Sequence, residues 1–460
     1  MALRSIWQEE TLIDIMDMIL KRVGIGDYVR MTLVCKSWRS MLAHLKPSHH
    51  LTAPWLLQIK DCVYNDHIGF NFYSLSEDRF YSFKLPTHIL NKYPKVSHGA
   101  TFCCATSNGW LVLVAGPDHN PDMFLFDPIS EIDVKLPPLT TIPFSSRFDY
   151  RRGNAFQKIA FMVNMVHVFS ISNDYSTRNL IVVVNFMNEL EDEEVGEILG
   201  FCNCDIGVTE EERSWKLFDA DGTITHKNIE SMLFHNDMLY IIVSKEEDFL
   251  SFKSSQDNEE RIGKEINYVV VLTDRCELKI KIINIVKHNT APHIRACNNE
   301  LRYIAYSGLK YTYLAKSITG ELLIIWNNTD PFSEDDVDYD LVIYHTTKLT
   351  IERYEGIEKK SKDFKYISSL GDQTLFVSPN SNSFSIPTIS GNGYQANGIY
   401  FTVDVLDTLH KKSLALYRQS GFYCMQEGRI KRPFPNPPMW FQPVANLKAN
   451  HRAFEPVVSS

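Results

Sequence analysis

Long apolar runs are missing. Among the 460 residues, no stretch approaches the roughly 18 uninterrupted apolar residues that a membrane-spanning helix requires, and the first residues carry no cleavable apolar signal. An excess of positive charge is missing too. The balance of 47 Lys and Arg against 56 Asp and Glu leaves a net charge of −9, which argues against non-specific binding to nucleic acid or to an anionic membrane. The nine cysteines are scattered without a disulfide-like framework, as suits a reducing compartment. These absences together predict a soluble intracellular protein, cytoplasmic, nuclear or both, without nucleic-acid or membrane partners.

Catalytic signatures are equally scarce. No Gly-x-Ser-x-Gly elbow marks an esterase nucleophile. Gly391-Asn392-Gly393 with Gly398 imitates a phosphate loop, but no βαβ unit surrounds it. Asp336, Asp338 and Asp340 alternate as in a calcium loop, yet Leu341 stands where such a loop needs glycine. Cys202 and Cys204 are joined by no second Cys-x-x-Cys, and Cys103, Cys104 and His98 lie far away in sequence, so buried free thiols are expected in place of structural zinc. Glu191 to Glu194 and Glu210 to Glu212 read as solvated loops. Asn327-Asn328-Thr329 fits a glycosylation acceptor, with nothing else pointing to secretion. No cofactor, metal site or catalytic residue is expected.

What the sequence does hold starts at Leu12. Apolar side chains at Leu12, Ile15, Met16, Ile19, Leu20 and Val23 follow the spacing of one helical face. Gly24 and Gly26 are expected to break that helix. Asp27 is expected to cap a second helix, whose face reads Met31, Val34, Cys35, Trp38, Leu42 and Leu45. Two such short helices need a third layer to bury this surface, and Pro47 closes the segment.

Gly26-Asp27-Tyr28-Val29-Arg30 followed by Val34-Cys35-Lys36-Ser37-Trp38-Arg39-Ser40 resembles the second half of a plant-type F-box. The resemblance implies docking on the Skp adaptor of Skp–cullin–F-box ubiquitin ligases, and it covers about Ser5 to Leu45. The first half departs from the pattern, because the family's Leu-Pro pair falls here on Thr11-Leu12. The resemblance places adaptor binding on Thr11, Leu12, Ile15, Ile19, Val23, Val34, Cys35 and Trp38. Sequence alone does not separate those facing the adaptor from those facing the interior.

Beyond Leu51 the texture changes to short runs rich in β-branched and aromatic residues, each ended by turn residues. Phe70 to Leu85 reads as a hairpin around Ser76-Glu77-Asp78, and Asn108-Gly109 leads into Trp110 to Val114. Further strands are expected within Met123 to Phe126, Ile159 to Ile171, Leu180 to Phe186, Met238 to Val243, Tyr268 to Leu272 and Leu278 to Val286. The series continues through Tyr311 to Lys316, Leu322 to Trp326, Leu341 to Tyr344, Thr374 to Val377, Gly398 to Val403 and Leu414 to Arg418. Only His88 to Tyr93 and Val405 to Lys412 read as short helices. So many strands without crossover helices exclude a parallel α/β sheet. They suit a mainly β architecture, either several sandwiches or one propeller. At roughly 40 to 50 residues per blade, a propeller would have about six to eight blades.

A second set of motifs resembles plant F-box proteins with a KIB-type β-propeller: Asn108 to Val114, Leu125-Phe126-Asp127-Pro128, Leu136-Pro137-Pro138-Leu139, Ser214 to Leu217, Ser369 to Val377, Asn382 to Ser385, Asn397 to Phe401 and Pro437 to Pro443. Physically, Gly371 and Gly398 are expected to supply turns by positive φ ahead of buried strands. The resemblance implies two domains, an F-box-like module over 1–47 and a propeller over 51–460. It implies the substrate-recognition subunit of a ubiquitin ligase, non-catalytic, with a Skp-type adaptor, through it a cullin, and an unidentified target protein as partners. Two other readings stand beside it: an interaction protein whose altered box no longer grips the adaptor, and an enzyme of the hydrolase or lactonase kind that propellers also host.

Overall fold

The structure is a computed structural model that describes residues 10–20, 23, 25–44, 54–58, 69–93, 101–115, 122–138, 141–142, 163–170, 180–189, 195–204, 213–218, 228–236, 238–245, 265–273, 279–283, 291–297, 300–332, 343–354, 364–379, 381–388, 393–402, 420–431, 439–441 and 455–456. Three helices come first: α1 (Glu10–Leu20), α2 (Ile25–Val34) and α3 (Lys36–His44). The expected single second helix is therefore two helices that meet at Cys35. There the Trp38 amide donates to the Cys35 thiol at 3.4 Å, giving one orphan donor of the new helix a partner. Asp27 is not a cap. It lies in the first turn of α2, where its charge suits the positive end of the helix, and it pairs with Arg30 one turn later at 2.8 Å. Gly26 sits inside that same turn and breaks nothing.

A fourth helix, α4 (Thr87–Lys92), follows the first hairpin, where a short helix was expected. Among the described residues all other regular elements are strands, which fall into separate sheets of four or five strands. Five sheets each use one stretch of chain: Thr101 to Lys135, Val163 to Phe218, Asn228 to Ile283, Ala291 to Ile367, and Gln373 to Lys431. We number these the second to the sixth. The first sheet is a composite, ordered Met439–Phe441, Trp55–Gln58, Gly69–Ser74, Arg79–Lys84, Glu455–Pro456.

Five blades are built from contiguous chain, where six to eight were expected, and one composite sheet closes the ring. Elongated strands use up the chain, Glu300–Lys316 alone running for 17 residues.

The ring is visible in its polar junctions. The Thr106 hydroxyl donates to the Trp440 carbonyl, linking the second sheet to the first. The Val168 amide donates to Ser107 Oγ at 2.7 Å, the Phe234 amide to His167 Nε2 at 3.2 Å and the Leu314 amide to Ser231 Oγ at 2.9 Å. Ser385 Oγ then donates to the Lys316 carbonyl at 2.7 Å. The Trp440 indole closes the circle by donating to the Val377 carbonyl at 3.1 Å. Each of these bonds joins one sheet to the next, so the arrangement is a single β-propeller, which solves the sheet-edge problem by radial repetition.

Apolar packing repeats the same order. Separate buried clusters lie between the second and third sheets, the third and fourth, the fourth and fifth, the fifth and sixth, and the sixth and first. Trp110–Ala115 shows why the strand runs read as continuously apolar: every residue in it is buried. Leu111 and Leu113 face one neighbouring sheet while Val112 and Val114 face the other, as the period of two in a strand requires. The turn before it has Asn108 at φ 47° and Gly109 at φ 82°, the pair of positive φ values that a two-residue I′ hairpin needs.

Two glycine expectations divide. Gly371 has φ 63° and makes its turn as expected. At Asn397-Gly398 the positive φ belongs to Asn397, at 55°. Gly398 is needed because a Cβ there would stand 2.2 Å from the Phe422 ring. Leu414 to Arg418 and Val405 to Lys412 lie outside the described residues.

Candidate functional site: the helical module and its exposed apolar row

The helical stripe read from the sequence splits in two. Met16 and Leu20 of α1, Tyr28 of α2 and Leu42 of α3 are buried. Val23, Met31, Trp38 and Met41 pack, partly buried, against the same cluster. The opposite side of α1 presents Ile15, Met18 and Ile19, which are 50%, 59% and 40% exposed. Val34, at the end of α2, is 62% exposed, and Cys35 beside it is exposed as well. Isolated exposed apolar residues are ordinary, whereas three side by side on one short helix form a candidate interaction surface.

Of the eight residues expected at the adaptor, Ile15, Ile19, Val34 and Cys35 are thus on the surface. Val23 and Trp38 pack inward against the buried cluster. Thr11 and Leu12 belong to α1, and their side chains lie outside the described residues. Met18 was missed. It falls out of the stripe that the periodicity picked out, and the signal that would have found it is its place between Ile15 and Ile19 on a face already carrying Asp14 and Asp17.

The electrostatics of the module are simple. Burial pushes the Tyr28 phenol above its usual value. Tyr81 of the first sheet is pushed up by burial first and by its hydrogen bond to Glu77 second, with the nearby Asp27 of α2 adding to the effect.

The remaining chemical candidates resolve into structure. Cys202 and Cys204 have their sulfur atoms 3.9 Å apart in the core between the second and third sheets. The Cys202 thiol is drawn below its usual value, first by that contact, whereas burial pushes Cys104 up to about 12. Among the described residues no three His, Cys, Asp or Glu side chains gather into a metal site. Asn327 is fully buried in Leu322–Phe332, so the folded chain does not present it for glycosylation. Asp336 to Asp340, Glu191 to Glu194, Glu210 to Glu212, His98, Gly391 and Asn392 lie outside the described residues. Among the described residues no helix is long and apolar enough to cross a membrane.

On the propeller, the exposed large apolar side chains among the described residues are Phe80, Ile318 and Tyr366. They lie on the first sheet, at the hairpin of the fifth and on the last strand of the fifth.

Comparison with protein families agrees with this division. A family model of the F-box domain matches residues 13–50. A family model of the KIB1-4 beta-propeller matches residues 72–423, well over half of the chain. A search of curated proteins finds no match. With a ring of sheets beyond Trp55 and three helices with an exposed apolar row before it, the chain belongs to the KIB1-4 beta-propeller family and carries an F-box domain.

Proposed function

We propose that the protein is the substrate-recognition subunit of a Skp–cullin–F-box ubiquitin ligase, working in the cytoplasm, the nucleus or both. Its F-box, ending near residue 47, docks on a Skp-type adaptor and through it on a cullin. Its propeller, starting near residue 51, holds a target protein. An F-box joined to a propeller fits a non-catalytic adaptor. Its contribution is to raise the effective concentration of the target at the ligase's catalytic partner.

The observation that carries this reading is the row Ile15, Met18 and Ile19 left exposed on α1, together with Val34, within the segment matched as an F-box. Burying such a row in a partner's groove is helix-in-groove recognition. Thr11 and Leu12 belong to the same docking surface, in place of the family's Leu-Pro pair.

The test is calorimetric titration of the full-length protein into purified Skp adaptor. Micromolar or tighter binding is expected. Ile19→Asp and Met18→Asp should each weaken it at least tenfold, about 1.4 kcal/mol, while leaving thermal unfolding nearly unchanged. No binding by a folded wild-type protein would sink the ligase reading. Thr11-Leu12 would then have disarmed the box, and the propeller would be a free-standing interaction module.

A further inference from the structure

The sequence suggests a module and a propeller with separable roles, but the buried side chains do not separate. Met16, Leu20, Tyr28 and Leu42 of the three helices lie in one continuous cluster with Trp55, Phe70, Phe72, Tyr81 and Phe83 of the first sheet and Phe124 and Phe126 of the second. Every one of these is at least nine-tenths buried. The cluster fills the gap between the first and second sheets, the one gap that has no purely propeller cluster of its own among those described. The propeller supplies the further layer that the short apolar-faced helices need, and the helices in turn cover the apolar edge between the first and second sheets.

From this shared cluster we infer that the F-box and the first sheet form one cooperative unit, so that a partner bound on α1 stabilises the propeller. The coupling is thermodynamic. A ligand that binds only the folded helices favours every element that must be folded for the helices to be folded. The exposed row takes the adaptor and the buried side of the same helices passes the stabilisation on. Val23 and Trp38, which pack on the cluster, belong to the coupling and not to the docking face. The first step, that the unit is cooperative, stands without the adaptor. The second rests on the proposed docking of a Skp-type adaptor.

Hydrogen exchange followed by mass spectrometry on the full-length protein tests both steps. In increasing urea without adaptor, peptides covering α1 to α3 and peptides covering Trp55–Gln58 and Gly69–Lys84 should lose protection at the same concentration. Loss of the helices well before the sheet would overturn the inference, whatever the adaptor does. Leu42→Ala should lower protection in the sheet peptides as well as in the helices. Ile19→Asp, on the exposed side, should change neither. With free adaptor at a hundred times its dissociation constant, opening of the whole unit should slow by about a hundredfold, in sheet peptides as in helix peptides. Protection gained by the helices alone would overturn the coupling. If the adaptor does not bind, the functional reading fails, and the urea series still decides whether the unit is one.

Discussion

His167 accepts the Phe234 amide through Nε2 and is buried in the junction between the third and fourth sheets. Burial lowers its pKa to about 4, against an unfolded value near 6.5. A depressed value means that the neutral ring stabilises the fold fully above about pH 6.5, and that this contribution is lost as pH falls towards 4, amounting to at most about 3 kcal/mol. Asp127 opposes it. Burial raises its carboxyl to about 6, although the Ile129 amide and the Ser130 hydroxyl hydrogen-bond to it. That group favours the fold most below about pH 4 and less as pH rises to 6. Urea midpoints measured between pH 7 and 4 should therefore fall less steeply in His167→Gln than in the wild type, and more steeply in Asp127→Asn. At the glycines, Gly398→Val drives its side chain into the Phe422 ring and should cost about 1–3 kcal/mol or more. Gly371→Ala meets nothing within 4 Å, and its φ of 63° should cost only about 1 kcal/mol. Thermal melts of the two variants should rank in that order.

The helices and strands differ in how much their sequences disclose. Second and third strands such as Trp110–Ala115, and Leu322 to Trp326 in the fifth sheet, are buried between neighbouring sheets, so their apolar runs stand out. Innermost strands are harder to read. Thr101–Ser107 and Asn228–His235 carry Thr106, Ser107 and Ser231 because they must bond to the adjoining sheet, and this interrupts the apolar pattern. Outer strands such as Arg429–Lys431 have only exposed or half-buried side chains and leave almost no signal. The α2–α3 break was hidden for another reason: the apolar spacing runs straight across Cys35, and only a sulfur cap divides it. The exposed row on α1 could not be told from the buried one, since both are apolar and the partner that separates them is the propeller. Trp38 illustrates the consequence. Half-buried instead of enclosed, it should lose about 2 kcal/mol on Trp38→Ala, below the range of about 3–5 for a fully buried ring. Denaturant unfolding of the variant would show a larger loss if the ring were enclosed.

Across the molecule, the ring depends on Met439–Phe441. This segment pairs antiparallel with Trp55–Leu57, and Trp440 packs in the cluster between the sixth and first sheets. Its indole bonds to Val377 and its carbonyl receives the Thr106 hydroxyl, so one residue touches three sheets. Trp440→Ala should cost about 3–5 kcal/mol, and exchange protection should fall in the first, second and sixth sheets together. Confinement of the loss to one sheet would contradict the ring. The order of synthesis gives this closure a further meaning. Trp55–Gln58 leaves the ribosome long before its partner strand Met439–Phe441, and the delay is on the order of tens of seconds at usual elongation rates. Throughout that interval the nascent chain carries an unpaired β-edge, and the side chains that Trp440 will cover stay open to solvent. The protein is therefore most exposed to misfolding while it is being translated, and chaperone demand should be greatest before the closing strand emerges.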